Sequence, residues 1–166
     1  MAVVIRTQHQ MKVADEVFLV VATLHHQNPE KEEFTVQEIL SEAERLKFDG
    51  EIRPGFQVHV RQHCVANLKP NPGDYRMVFA TGKSSRRLLK KSDEIHPQRK
   101  GKMFPELKDV DPMYFGLITW AKQRYEASGE ESELFADFLA LHGSSKGLWK
   151  DEPADEYIAR LRGDWD

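Results

Sequence analysis

Between Arg53 and Lys102 the chain carries twelve Lys and Arg against three acids, Asp74, Asp93 and Glu94, although the whole protein has a formal net charge of −3. Cations segregated in this way gain free energy on a polyanion, because each one that meets a phosphate releases a condensed counterion. Nucleic acid is therefore the leading partner. Two sets of side chains in the stretch suit two kinds of contact. Gln57, His59, Arg61 and Gln62 combine donors and acceptors that could read base edges, whereas Lys83, Arg86, Arg87, Lys90 and Lys91 are cations suited to phosphate oxygens. The plainer reading of the second set is solvated charge on a hairpin edge, which deters aggregation.

Other chemistry is poorly provided for. His59 and His63 have the four-residue spacing that places two ligands on one helical face, with Cys64 adjacent, but no further thiol or carboxylate cluster lies close in sequence. Cys64 fits better as a small buried hydrophobe. Gly82-Lys83-Ser84 lacks the upstream glycine of a phosphate loop, and neither Ser84-Ser85 nor Ser144-Ser145 sits in a nucleophile elbow. A nuclease would need carboxylates grouped around a divalent cation, and here the acids gather in the tail. The expectation is a protein with no catalytic residues, no metal and no cofactor.

The elements that must position the basic stretch follow from periodicity. Val13, Val17, Val20, Val21 and Leu24 mark a first helix over 12–27, ended by Asn28-Pro29. Thr35 followed by Glu38 has the capping-box spacing, and Val36, Ile39, Leu40, Ala43 and Leu46 carry a second helix to about Phe48. Arg53-Pro54-Gly55 opens a third, running to about Asn67, with Phe56, Val60, Cys64 and Leu68 on one side and His59, Gln62 and Ala66 roughly opposite. After the turn cluster Lys69 to Gly73, strands are expected over Tyr75–Ala80 and Arg87–Lys91, flanking a small polar tip from Thr81 to Arg86. Three helices and then a basic hairpin resemble the winged helix-turn-helix domain, in which the third helix enters the major groove and the wing touches the backbone. The resemblance implies binding to double-stranded DNA.

An irregular connector punctuated by His96-Pro97, Phe104-Pro105 and Asp111-Pro112 leads to an aromatic helix over 114–125, which must pack on the first domain or form a homodimer contact. Beyond Ala127-Ser128-Gly129 the character changes: from Glu126 to Asp166 there are eleven acids against four cations. Apolar anchors on a loosely tethered acidic chain suit a segment that folds on a protein partner. Gly147-Leu148-Trp149, Ala154-Asp155-Glu156-Tyr157-Ile158, Arg160-Leu161-Arg162 and Trp165 resemble the C-terminal tails of antitoxins that neutralise PIN-domain ribonuclease toxins. That resemblance implies a tail wrapping the toxin, with Trp149, Tyr157, Leu161 and Trp165 as anchors and Arg160 or Arg162 reaching the acidic, metal-binding active site.

The expected fold class is α+β, mostly helical: a winged helix-turn-helix domain (1–95), a connector and aromatic helix (96–128), and an acidic, partner-binding helical tail (129–166). The expected function is a DNA-binding regulator, antitoxin-like, that blocks a PIN-like ribonuclease and represses its own promoter. The alternatives are a protein-interaction scaffold or an accessory DNA-specificity domain without a toxin partner. One cysteine excludes an internal disulfide, and no apolar run approaches the roughly 20 residues that span a bilayer, so a cytoplasmic protein with no membrane partner is expected.

Overall fold

The computed structural model describes residues 11–48 and 50–144, with 130–144 described by their helical backbone alone. The first apolar repeat forms α1 (Val13–Gln27). Sequence periodicity implies one buried face, but α1 is enclosed on nearly all sides: Val17, Phe18, Leu19, Val20, Val21 and Ala22 are all buried. A helix that is apolar around most of its circumference has to sit inside a core. Here the second helix, the third helix, the sheet and the last helix surround it.

β1 (Phe34–Thr35) leads directly into α2 (Val36–Leu46). The capping box forms as its spacing predicts. Thr35 Oγ1 accepts from the Glu38 backbone N–H at 3.2 Å, and Glu38 accepts from the Thr35 backbone N–H at 2.8 Å. Lys47 closes α2 in the left-handed conformation with φ 43°.

The third helix departs from expectation. α3 (Phe56–Val58) passes at once into a π-helical turn, His59–His63, closed by the Cys64 N–H on the His59 carbonyl at 3.0 Å. It ends four residues before Asn67 because the chain from Cys64 to Ala66 lies along β2 (Val78–Ala80). The Ala66 N–H donates to the Val78 carbonyl at 2.8 Å, and Val78 donates back to the Cys64 carbonyl at 3.0 Å. Val65 and Ala66 are buried as a result, whereas Leu68, expected in the core, is exposed. Asn67 extends the pairing through its amide, which accepts from the Ala80 N–H at 2.9 Å and donates to the Ala80 carbonyl at 3.0 Å.

β2 and β3 (Ser85–Leu88) form the hairpin, shorter at its outer ends than the expected strands. The sheet order is β1-β3-β2, antiparallel throughout, with Phe34 opposite Arg86 and Val78 opposite Leu88. Two 3-10 turns, Leu107–Asp109 and Pro112–Tyr114, precede α4 (Phe115–Ser144). Ile118 and Ala121 seat α4 in the core beside α1. The aromatic helix, expected over 114–125, does not end there, and α4 continues through Ala127-Ser128-Gly129. Gly129 serves close approach instead: a Cβ there would lie 2.5 Å from Lys91 Cδ. The described residues are thus α+β, with the helices and a small antiparallel sheet packed around α1.

Candidate nucleic-acid interface

α1 carries two acids inside the core, and each draws in a cation from the basic stretch. Asp15 meets Lys102 at 2.7 Å and Glu16 meets Arg53 at 2.8 Å. Burial pushes the Asp15 carboxyl up from its ordinary value, and Lys102 opposes the shift.

Arg86 is only 3% exposed. Its guanidinium donates to the carbonyls of Val60 at 3.1 Å, Gly82 at 3.0 Å, Ser85 at 2.8 Å and Arg61 at 3.2 Å. Burial lowers its pKa, and Arg61 adds to the effect. Arg86 is therefore withdrawn from the set of phosphate contacts expected from sequence. Arg99, which sequence places in an irregular connector, is its counterpart. It is equally buried and donates to the carbonyls of Gln62 at 2.7 Å, His63 at 2.8 Å, Leu68 at 2.6 Å and Tyr75 at 2.7 Å. The last carbonyls of a helix lack internal partners and carry the negative end of its dipole. Two guanidiniums thus cap Val60, Arg61, Gln62 and His63 in succession.

Three of the other four expected wing cations are also engaged. Arg87 makes a two-pronged pair with Asp93 at 2.6 and 2.7 Å and lies 4.5 Å over the Phe79 ring. Lys90 pairs with exposed Glu32 at 3.4 Å. Lys91 reaches Glu126 on α4 at 2.7 Å, while its backbone N–H donates to Ser128 Oγ at 3.0 Å. Lys83 at the hairpin tip is exposed and makes no side-chain hydrogen bond or ion pair among the described residues.

On the third helix Gln57 and Arg61 are exposed, and His59 and Gln62 are half-buried. Gln57 borders an open cleft of about 460 Å³ between α2 and α3, lined also by Gln37, Ser41 and Glu44. His59 Nδ1 lies 2.9 Å from the Gly55 carbonyl, which can only accept, so the proton sits on Nδ1 and Nε2 is left available. The His59 and His63 rings meet edge to face at 4.9 Å. His63 is held below the ordinary imidazole value by partial burial, His59 and Arg99. Cys64 is fully buried in the core, and burial pushes its thiol well up, which leaves it an unreactive packing residue. Among the described residues no three His, Cys, Asp or Glu side chains are placed to hold a metal ion, and no helix is long and apolar enough to cross a membrane.

Through Arg86 the structure joins the third helix to the hairpin tip, while Arg87, Lys90 and Lys91 of the expected wing set are held by Asp93, Glu32 and Glu126. Because one guanidinium binds both the Arg61 and Gly82 carbonyls, the third helix and the hairpin tip meet on one side of the molecule. A second cationic flank, absent from the sequence expectation, comes from Arg99. Its contact with the Leu68 carbonyl brings Lys69 and Lys100, both exposed, to the end of the same helix. The expected partner contacts at Trp149, Tyr157, Arg160, Leu161, Arg162 and Trp165 lie outside the described residues. Compared with protein-family models, curated proteins and solved structures, the chain matches none.

Proposed function

We propose that the chain is a non-enzymatic, winged-helix DNA-binding regulator. The third helix enters the major groove, and cations on both of its flanks meet the phosphate backbones that border the groove. The order of helices and strands and the β1-β3-β2 sheet suit this domain. The observation that carries the reading is Arg86, which joins the Arg61 and Gly82 carbonyls and sets helix and hairpin tip side by side. Gln57, His59, Arg61 and Gln62 face base edges. Of the wing cations, Lys83 takes the phosphate role, and Lys69 and Lys100 supply it on the opposite flank. The test is duplex binding by the full-length chain over a series of salt concentrations. Lys83→Ala and Lys69→Ala/Lys100→Ala should each weaken binding across all sequences, and each lost phosphate contact should reduce the salt slope by about one. Unchanged slopes in both variants would remove this face from the account.

The second part of the proposal concerns residues 145–166, which act as an antitoxin-like tail on a PIN-like ribonuclease while the DNA-binding part represses the shared promoter. Its support is the tail sequence and its acidic charge. α4 runs on for fifteen residues past Gly129 to Ser144, directly before this segment. Full-length protein should capture a protein with ribonuclease activity from its native cytoplasm, and a copy ending at His142 should not. Equal capture by both copies would refute the tail assignment and favour an accessory or scaffold role.

A further inference from the structure

The third helix presents to solvent one side chain that a purely electrostatic surface does not need. Val58 is 46% exposed, between exposed Gln57 and buried neighbours Phe56 and Val60. Gln57, Val58 and Arg61 are the exposed residues of this segment, whereas Phe56 and Val60 pack into the core. A β-branched side chain at an exposed helical position is less favourable than alanine there, both in rotamer freedom and in contact with water. Single exposed apolar residues are common on protein surfaces. This one lies among the exposed residues of the helix with Gln57 and Arg61, from which the proposed base contacts come.

The proposed partner is a polyanion, and the major groove of DNA offers one apolar feature at its floor, the 5-methyl group of thymine. We infer that Val58 packs against a thymine methyl and fixes a T·A pair in the recognised site, with Gln57 and Arg61 reading the neighbouring edges. The inference rests on the DNA-binding reading above and adds to it a residue and a base. It also separates two contributions that behave differently. The cations act on any duplex and weaken with salt, whereas a methyl contact is sequence-specific and insensitive to salt.

The experiment uses full-length protein and a randomised pool of double-stranded DNA. After selection of binding duplexes, each thymine of the tightest one is replaced singly by deoxyuridine, which removes only the 5-methyl group. Wild-type protein should lose about fourfold in affinity at one or two positions, the equivalent of the ~0.8 kcal/mol gained by burying one such group. Val58→Ala should bind the thymine duplex more weakly and no longer distinguish thymine from deoxyuridine at those positions. Val58→Thr, which keeps the shape, should retain part of the discrimination. If no thymine can be replaced with effect, or if Val58→Ala discriminates as wild type does, the methyl contact is overturned while DNA binding stands. If no duplex is enriched above non-specific binding, the DNA-binding reading falls and this inference falls with it.

Discussion

His25, buried on α1, makes stability depend on pH. It is 1% exposed, and its Nε2 accepts the Leu88 backbone N–H at 3.2 Å, so the neutral ring carries its proton on Nδ1 and ties α1 to the central strand β3. Its ring also meets Phe34 edge to face at 4.9 Å. Burial, reinforced by Arg124, Arg87 and Lys90, lowers its pKa to about 3 from an ordinary value of 6.5. The unfolded chain therefore binds a proton between these values and the folded chain does not. Stability from the neutral ring is complete above about pH 6.5 and falls as the pH drops, and the loss levels off only near the folded value. The slope below the unfolded pKa is about 1.4 kcal/mol per pH unit. Urea unfolding of wild type between pH 6.5 and 5 should show it, and His25→Gln, which can still accept from Leu88, should lack that component. Parallel profiles for the two proteins would mean that His25 is not held neutral by the fold.

At the scale of elements, the helix-to-hairpin junction depends on buried guanidiniums. Arg86→Ala leaves the Val60, Arg61, Gly82 and Ser85 carbonyls without this donor. An unsatisfied buried group costs about 1–3 kcal/mol, so a loss near 3 kcal/mol is expected in chemical unfolding. Lys83→Ala, on the exposed tip, should leave stability within about 0.5 kcal/mol. On the proposed function DNA affinity should fall in both variants for different reasons, and the unfolding midpoint distinguishes them. A sequence signal for Arg86 existed: in β3 the alternation of Ser85, Arg86, Arg87 and Leu88 puts Arg86 on the same inward side as Leu88. Counting cations along a hairpin overlooks that alternation. Thr35 and Glu38 made the start of α2 legible because a capping box is local. The end of the third helix was not legible, because Cys64, Val65 and Ala66 leave it to pair with β2, a contact made only in the folded chain. Arg99 gave no signal at all, since its acceptors lie on three separate segments.

The junction of α4 with the hairpin gives another prediction at this scale. Gly129 lies in a helix, where alanine is worth about 1 kcal/mol more than glycine. A Cβ at Gly129 would meet Lys91 at 2.5 Å, in the turn where Lys91 also reaches Glu126. Gly129→Ala should therefore give no stabilisation in wild type and most of that 1 kcal/mol in a Lys91→Ala background. Equal effects in the two backgrounds would mean that the contact with Lys91 does not constrain α4.

For the whole molecule the question is whether the acidic tail acts on the basic face of its own chain. Eleven acids from Glu126 to Asp166 stand against a stretch with twelve cations, and an intramolecular match between them would be the economical assumption from charge alone. The described residues include one such pair, Lys91 with Glu126 at 2.7 Å, but leave few cations for others. Six of those twelve cations are committed to Asp15, Glu16, Asp93 or main-chain carbonyls, and Lys90 and Lys91 pair with Glu32 and Glu126, which leaves Arg61, Lys69, Lys83 and Lys100 as the exposed group. Removing residues 143–166 should therefore leave duplex affinity unchanged within about twofold at 0.15 M salt, with a modest gain only at low salt, where screening weakens. A tenfold or greater gain at physiological salt would show that the tail masks the basic face, and would make self-inhibition, in place of a ribonuclease partner, the role of the C-terminal segment.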